Sequence, residues 1–429
     1  MAFLLVARVC MSATRALAGI VVPIYLAVIG FQGVTLGILF TMIALTSALF
    51  TALIGLLSDR FGRKLFLVGM PLLAAGASLI FAYSHTAAIL FVCATLGSFG
   101  RGAGAGAGMV GPYQPAEQAF LADAVPARHR NSLFGRIAFA SSLGALIGGS
   151  PLIALAVVLA AQQTMAAYRL EFLFASGLAL LAGLLALPVH EPRRKRVARE
   201  VVSQQQDASL TQNKTNVRLS AASWSLLIRL WITNSVNGLA VGFFGPFITY
   251  WFYRRYGVGP VEIGLLYTII NLAAMFVNLS AARIAARLGL IRAIVISRAF
   301  QAVLIIPMVL APTFWMAGVL YLLRMMVQRL GLPLRQSYVM GVVPPEERGR
   351  IGGLSNLPSQ VTSALSPTLA GFLFDHVALA LPFDIGALLQ GVNTVLFFLF
   401  FRKVLPPEEQ AITEKPTQEE VSTSAKLSS

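Results

Sequence analysis

Charged side chains are scarce in this chain. Asp, Glu, Lys and Arg make up 12% of its 429 residues, whereas a soluble domain carries about 25%. So few charges leave no way to cover a soluble surface of this size. In addition, 57% of the residues are hydrophobic and the mean hydropathy is +0.76. The composition excludes a soluble globular protein and predicts a polytopic membrane protein.

Cysteine is almost absent, and so are the motifs of metal and nucleotide chemistry. The two cysteines, Cys10 and Cys93, both lie in apolar runs, so we predict no disulfide framework and no metal site. A glycine-rich run covers residues 100–108, but it lacks the Gly-Lys-Ser/Thr of a phosphate-binding loop and no strand is predicted before it. The sequence also lacks His-Glu-x-x-His, Gly-x-Ser-x-Gly and an intramembrane pair of aspartates. We therefore expect neither an enzyme nor a bound cofactor.

Long apolar runs fill most of the chain. A helix needs about 20 apolar residues to cross a bilayer, and the sequence predicts twelve such spans. The polar segment 190–222 is predicted to be a cytoplasmic linker between two six-helix bundles, residues 1–189 and 223–402, and residues 403–429 a disordered cytoplasmic tail. The predicted spans are 3–30, 33–56, 65–84, 87–121, 132–160, 168–189, 223–252, 261–285, 291–311, 313–342, 350–374 and 384–402.

The basic residues are unevenly distributed along the chain. A net charge of +16 by itself would also fit a nucleic-acid-binding protein. When the N-terminus is placed in the cytoplasm, however, the basic loops, including the run at 192–196, fall inside, and the outside loops hold only Arg169, Arg254 and Arg255. This asymmetry follows the positive-inside rule. We therefore predict a multi-pass protein of the cytoplasmic membrane with both termini inside, in contact with the lipid bilayer and with no nucleic-acid partner.

One short polar turn carries the most specific motif. Residues 55–64 read Gly-Leu-Leu-Ser-Asp-Arg-Phe-Gly-Arg-Lys and lie between two of the predicted spans. The pattern resembles the loop between helices 2 and 3 of the major facilitator superfamily of secondary transporters. The resemblance implies an all-α integral membrane fold with twelve transmembrane helices in two six-helix pseudo-repeats around a central cavity. It also implies transport by alternating access.

An internal repeat supports the division into two related halves. At a spacing of 218 residues, Pro115 matches Pro333, Arg130 matches Arg348, and four further identities lie in the same register. Halves related by an axis along the membrane normal are how this family is built, with the substrate site between them.

The resemblance assigns a gating role to residues at the cytoplasmic ends of the helices. Asp59 would lie near the positive N-terminus of the helix around residues 350–353, and Arg63 would bridge Asp59 and Asp123. Together they would hold the cytoplasmic side shut in the outward-open state; a solvated surface ion network is the alternative. The predicted gating residues are Gly55, Asp59, Arg60, Gly62, Arg63 and Asp123.

Three arginines lie deep in the predicted spans. Arg15, Arg101 and Arg324 are each 11–14 residues into a span, so roughly 15–20 Å deep at 1.5 Å per residue. No acidic residue stands at their depth, and their helices line the central cavity in the family that the chain resembles. Guanidinium groups bind carboxylate and phosphate with two parallel hydrogen bonds. We therefore predict a small organic anion as substrate, with Tyr25 and Asn237 as further contacts, while a structural role for Arg101 and Arg324 is the alternative.

Two other functions remain open. Residues 144–149 read Gly-Ala-Leu-Ile-Gly-Gly, which resembles the Gly-Pro-x-x-Gly-Gly motif of the family's antiporter branch and favours a proton-coupled drug or metabolite exporter. A membrane receptor or scaffold with the transporter fold is the non-transport alternative. Proton coupling would run through Glu117, the carboxylate in a helix expected to line the cavity. We expect a monomer whose partners are a small-molecule substrate and a proton or counter-solute.

Overall fold

The structure is a computed structural model of the chain. It describes residues 2–84, 86–97, 117, 136–137, 139–149, 165–188, 221–288, 290–342 and 354–402. Within these ranges the chain is helical and has no strand. The all-α class predicted from the sequence is confirmed.

The helices of the first half begin close to the starts of the predicted spans, apart from the span 132–160, of which only part is described. Their starts agree because Gly, Pro and polar residues interrupt the apolar runs at the same places. They are α1 (Ala2–Val28), α2 (Gly33–Phe61), α3 (Arg63–Tyr83), α4 (Ala87–Gly97), α5 (Phe139–Gly149) and α6 (Met165–Ala186).

The helices of the second half follow the predicted spans with two differences. They are α7 (Ala221–Phe244), α8 (Ile248–Tyr256), α9 (Pro260–Leu288), α10 (Leu290–Leu310), α11 (Phe314–Val342), α12 (Leu357–His376) and α13 (Leu381–Phe401). The helix α12 begins later than the predicted start at 350. The span predicted at 223–252 lies within one apolar segment, Ser223–Tyr256, but its helix is interrupted, because α7 ends at Phe244 and α8 begins at Ile248. The interruption contains Gly245 and Pro246; proline has no backbone N–H and its ring displaces the preceding turn.

Apolar side chains cover the outside of the described helices as well as their interior. Seven of the described helical segments are long and apolar enough to cross a membrane, by length and composition. On these segments large apolar side chains are exposed: Leu310 is 73% and Leu388 is 68% exposed. Such surfaces are stable in contact with lipid and unfavourable in water.

The chain divides into two compact units. The first comprises residues 1–220, 241–275 and 363–382, and the second comprises residues 221–240, 276–362 and 383–429. In the first unit α6 packs against both α1 and α3, and in the second α10 packs against α11. The first unit thus includes segments from both halves of the sequence repeat. The domain boundaries predicted from the sequence stay a prediction.

Candidate transport and gating sites

A buried ion pair joins α1 to Glu117. Arg8 Nη1 donates a hydrogen bond to Glu117 Oε2, and the two side chains are 3% and 5% exposed. Arg8 Nε also donates to Ser141 Oγ of α5 at 2.7 Å, and Ser141 Oγ donates to the backbone oxygen of Ile137 at 2.9 Å. Removing one member of such a pair leaves a buried charge without compensation, which typically destabilises a protein by about 3–5 kcal/mol. We refer to Arg8, Glu117 and Ser141 as the buried polar cluster.

Two glycines let α5 pack directly on the backbone of α1. A Cβ atom added at Gly144 would lie 2.3 Å from the carbonyl oxygen of Val9. One added at Gly148 would lie 2.3 Å from the carbonyl oxygen of Ala13. No side chain larger than hydrogen fits at either place without moving a helix. This part of the glycine motif therefore fixes the distance between the helices that carry Ser141 and its arginine partner.

The arginines predicted to bind substrate are only partly described. Arg15 is half-buried in α1, Arg324 in α11 is 6% exposed, and Arg101 lies outside the described residues. A guanidinium group at such burial needs hydrogen-bond acceptors around it. The role of these three residues in binding an anion stays a prediction.

Tyr25 lies in an aromatic cluster. It is 4% exposed, and its ring centroid lies 6.2 Å from that of Phe81, 5.4 Å from that of Tyr168 and 5.2 Å from that of Phe172. These distances are within the range of favourable aromatic pairs. The ring of Tyr25 therefore helps to hold α1, α3 and α6 together, and its contact with a substrate stays a prediction.

Asn237 lies on α7 among polar contacts that join α7 to other helices of the second unit. It is half-buried, and its Oδ1 accepts a hydrogen bond from Asn393 Nδ2 at 3.3 Å. Beside it, a Cβ atom at Gly238 would lie 2.1 Å from Thr362 Oγ1, which donates to the backbone oxygen of Ser235 at 3.0 Å. The assignment of Asn237 to substrate binding stays a prediction.

The predicted gating turn lies between α2 and α3. One residue, Gly62, separates the two helices, and its φ of +90° is in the region that favours glycine. Gly55 lies within α2. The side chains of Asp59, Arg60 and Arg63 and the whole of Asp123 are outside the described part of the chain. The gating role of these residues therefore stays a prediction.

A contact that the sequence analysis did not identify lies at the opposite end of α2. The carboxylate of Asp375, on α12, accepts hydrogen bonds from the backbone N–H groups of Gly33 at 2.8 Å and Val34 at 2.6 Å. Gln32, the N-cap residue of α2, makes no side-chain capping hydrogen bond, so Asp375 supplies the cap from another helix. An aspartate near the end of an apolar span is the signal that was available in the sequence.

Small residues bring α2 and α12 into backbone contact along the turns next to this cap. A Cβ atom at Gly371 would lie 2.1 Å from the carbonyl oxygen of Gly33, and one at Gly37 would lie 2.4 Å from that of Pro367. One turn further along, the hydroxyl groups of Thr41 and Thr368 are hydrogen-bonded at 2.8 Å. The contact joins one helix from each half of the sequence repeat.

Comparison with known proteins agrees with these features. The Major Facilitator Superfamily profile matches residues 4–231 and again residues 230–428. Quinolone resistance protein NorA of Staphylococcus aureus (strain MSSA476) is 23% identical over 379 residues, 88% of this chain and 90% of that protein. Multidrug resistance protein MdtG of Proteus mirabilis (strain HI4320) is 24% identical over 372 residues, 85% of each. The crystal structure of a D-xylose-proton symporter superposes with a TM-score of 0.69 at 16% identity and covers 94% of this chain and 96% of that one.

The two tandem matches cover nearly the whole chain. They confirm the resemblance noted at residues 55–64 and the all-α membrane fold of two repeats. The family consists of transporters, which confirms the prediction of a secondary transporter for small solutes in a multi-pass membrane protein. The chain belongs to the Major Facilitator Superfamily.

Proposed function

We propose that the protein exports amphipathic organic compounds in exchange for protons. The observation that carries this proposal is the buried polar cluster, in which Glu117 is an ion-paired carboxylate inside the helix bundle. Two relatives that align with most of the chain, NorA and MdtG, are named for quinolone and multidrug resistance. The glycine motif of α5 also favours the antiporter branch of the family.

Protonation of Glu117 would act on the contacts of α1. An ionised Glu117 accepts the Nη1 hydrogen bond of Arg8 and neutralises its charge. A protonated Glu117 keeps an acceptor oxygen but loses the ionic attraction to Arg8, so the contact between Glu117 and α1 becomes weaker. Deleting one partner of a buried pair costs about 3–5 kcal/mol, and protonation of Glu117, which keeps one hydrogen bond, costs a part of that energy. Each factor of ten in an equilibrium constant corresponds to about 1.4 kcal/mol. A part of the pair energy is therefore enough to shift the equilibrium between two conformations strongly.

The test is uphill transport in vesicles with a pH gradient. The probes are a quinolone and ethidium, a hydrophobic organic cation. We expect Glu117→Gln to abolish gradient-driven accumulation while equilibrating exchange of the probe continues. Glu262→Gln is the matched control, because Glu262 accepts a hydrogen bond from the backbone N–H of Gly259 at 3.0 Å, at the start of its own helix. Unchanged gradient-driven accumulation in Glu117→Gln would show that coupling uses another residue or ion.

A second candidate is the transport of a small organic anion. It is favoured by Arg324, which is 6% exposed in α11, together with Arg15 and Arg101. Each hydrogen bond from guanidinium to an anion contributes about 1.5–3 kcal/mol. Arg15→Lys keeps the charge but not the planar fork, so anion binding should weaken roughly tenfold, which is about 1.4 kcal/mol, and Arg15→Ala should weaken it further.

The two candidates give opposite results with a matched panel of ligands. We expect the exporter to bind cationic and neutral hydrophobic compounds equally well or better after Arg→Ala substitution. An anion transporter loses affinity for organic carboxylates and phosphates in the same variants. Thermal-shift titration of the purified protein measures both, because a ligand at 100 times its dissociation constant adds about 2.7 kcal/mol of stability.

The remaining expectations concern the setting of the transporter. We propose that it works as a monomer in the cytoplasmic membrane with both termini inside. The support for the orientation is the excess of Lys and Arg in alternate loops. Protease accessibility of terminal tags in inside-out and right-side-out vesicles tests the orientation.

A further inference from the structure

The contact between Asp375 and the first turn of α2 lies at the end of α2 remote from the predicted cytoplasmic gate. Gly33 begins this helix and Asp59 is 26 residues further on, so roughly 40 Å away at 1.5 Å per residue. The positive-inside pattern assigns the Asp375 end to the outside. A transporter that works by alternating access must open this end at one stage of its cycle.

We propose that Asp375 is a positioning residue of the transport cycle that holds the outer ends of α2 and α12 together. Its carboxylate binds two adjacent N–H groups, Gly33 and Val34, at the positive end of the α2 dipole. Asp375 is itself exposed at the end of α12. We call this contact the outer latch.

The glycines place the two helices in direct backbone contact beside the outer latch. The carbonyl oxygen of Gly33 occupies the space that a Cβ atom at Gly371 would fill. In the same way, the carbonyl oxygen of Pro367 occupies the space that a Cβ atom at Gly37 would fill. Helices in backbone contact at these points cannot slide apart by small side-chain adjustments, because no side chain lies between them. When they separate, both hydrogen bonds to Asp375 and the bond between Thr41 and Thr368 are lost together.

Aromatic packing adjoins the outer latch and links it to α8. The ring centroid of Phe247 lies 5.3 Å from that of Phe40 on α2 and 4.9 Å from that of Phe374 on α12. Phe374 also lies 6.0 Å from Tyr250. The residue next to Asp375 is thus anchored in a ring cluster, and opening the latch has to break this packing as well.

The outer latch repeats the chemistry of the predicted cytoplasmic gate with the roles of the two helices exchanged. In the predicted gate, α2 supplies the carboxylate, Asp59, and the helix that follows residue 350 supplies the N-terminus. In the outer latch, α12 supplies the carboxylate and α2 supplies the N-terminus. Because the same two helices would close both ends, opening one end would favour closing the other. This argument applies to either candidate substrate.

Hydrogen–deuterium exchange of the full-length protein in nanodiscs measures directly how often the outer latch opens. The amides of Gly33 and Val34 are the donors, so their exchange measures opening. Loss of a helix cap, about 1 kcal/mol, corresponds to about a fivefold change in an equilibrium. We expect Asp375→Ala to accelerate exchange in the peptide covering residues 31–36 about fivefold. Asp375→Asn should have an intermediate effect and Asp375→Glu should restore most of the protection.

Transport kinetics separate a latch from a purely structural cap. Asp375→Ala should lower the maximal turnover with either a quinolone or an organic anion as probe, and Asp375→Glu should recover it. Asp384→Asn is the matched control, since Asp384 is an exposed aspartate in the first turn of α13. Unaltered exchange at residues 31–36 in Asp375→Ala would overturn the proposal. Accelerated exchange with normal turnover would also overturn it, because the cap would then have no part in the cycle.

Discussion

Gly144→Ala tests how tightly α5 is held against α1. The added Cβ would lie 2.3 Å from the carbonyl oxygen of Val9 and 2.6 Å from Cβ of Ser12. Ordinary contact begins at 3.4 Å, so α5 has to move away by roughly 1 Å, and overpacking of this kind costs about 1–3 kcal/mol. Ser141 lies one turn earlier on the same helix. Its 2.7 Å bond from Arg8 would stretch by the same shift to about 3.7 Å, beyond hydrogen-bond range.

The assay for this substitution is the thermal midpoint of the purified protein together with proton-coupled accumulation of the probe. We expect the midpoint of Gly144→Ala to fall by several degrees and coupled accumulation to decrease with it. Gly177→Ala is the control, because Gly177 lies in α6 with no heavy atom within 4 Å of the added Cβ. Alanine there should raise helix stability by up to about 1 kcal/mol. Equal midpoints for the two variants would refute the close contact of α5 with α1.

Three further substitutions test separate parts of the molecule. Asp59→Asn should impair transport at an unchanged amount of folded protein, because it removes the predicted gating charge; wild-type turnover in vesicles would contradict the gate. Gly242→Ala should lower the thermal midpoint, since its Cβ would lie 1.7 Å from Ser366 Oγ, whereas Gly391→Ala, with open space around it, should not. Tyr25→Phe should leave KM within about twofold because the ring packing persists, and a large rise in KM would instead support substrate contact by the hydroxyl group; Tyr25→Ala should destabilise the protein by about 3–5 kcal/mol.

Much of the helix order could be predicted from the sequence. Apolar length, the positive-inside pattern and the turn at residues 55–64 each depend on local composition, which is directly readable. The break between α7 and α8 was missed because prolines inside helices are common in membranes. Pro23, Pro71 and Pro307 all lie within intact helices, and only at Gly245–Pro246 does a glycine precede the proline among these cases.

The partners of the buried charges were harder to predict. Arg8 and Glu117 are 109 positions apart, so their pairing depends on how two helices pack rather than on spacing. Opposite charges inside apolar spans are a usable signal, since each is costly alone in a membrane, but the sequence does not say which of several arginines a single glutamate meets. The hydrogen-bond partners of Asp375 are likewise 342 and 341 positions away. They are backbone N–H groups, which nearly every residue has, so the sequence does not indicate which of them is bound.

The pairing of Arg8 with Glu117 has an electrical consequence. With both groups ionised the pair adds no net charge to its helix bundle, whereas a protonated Glu117 leaves one positive charge. One elementary charge moved through 100 mV gains or loses about 2.3 kcal/mol. If Glu117 carries the coupled proton and the exported compound is uncharged, the membrane voltage acts on the protonated half of the cycle and not on the half in which the pair is neutral. Clamping the voltage at zero should then change the rate of one half-cycle and leave the other as it was.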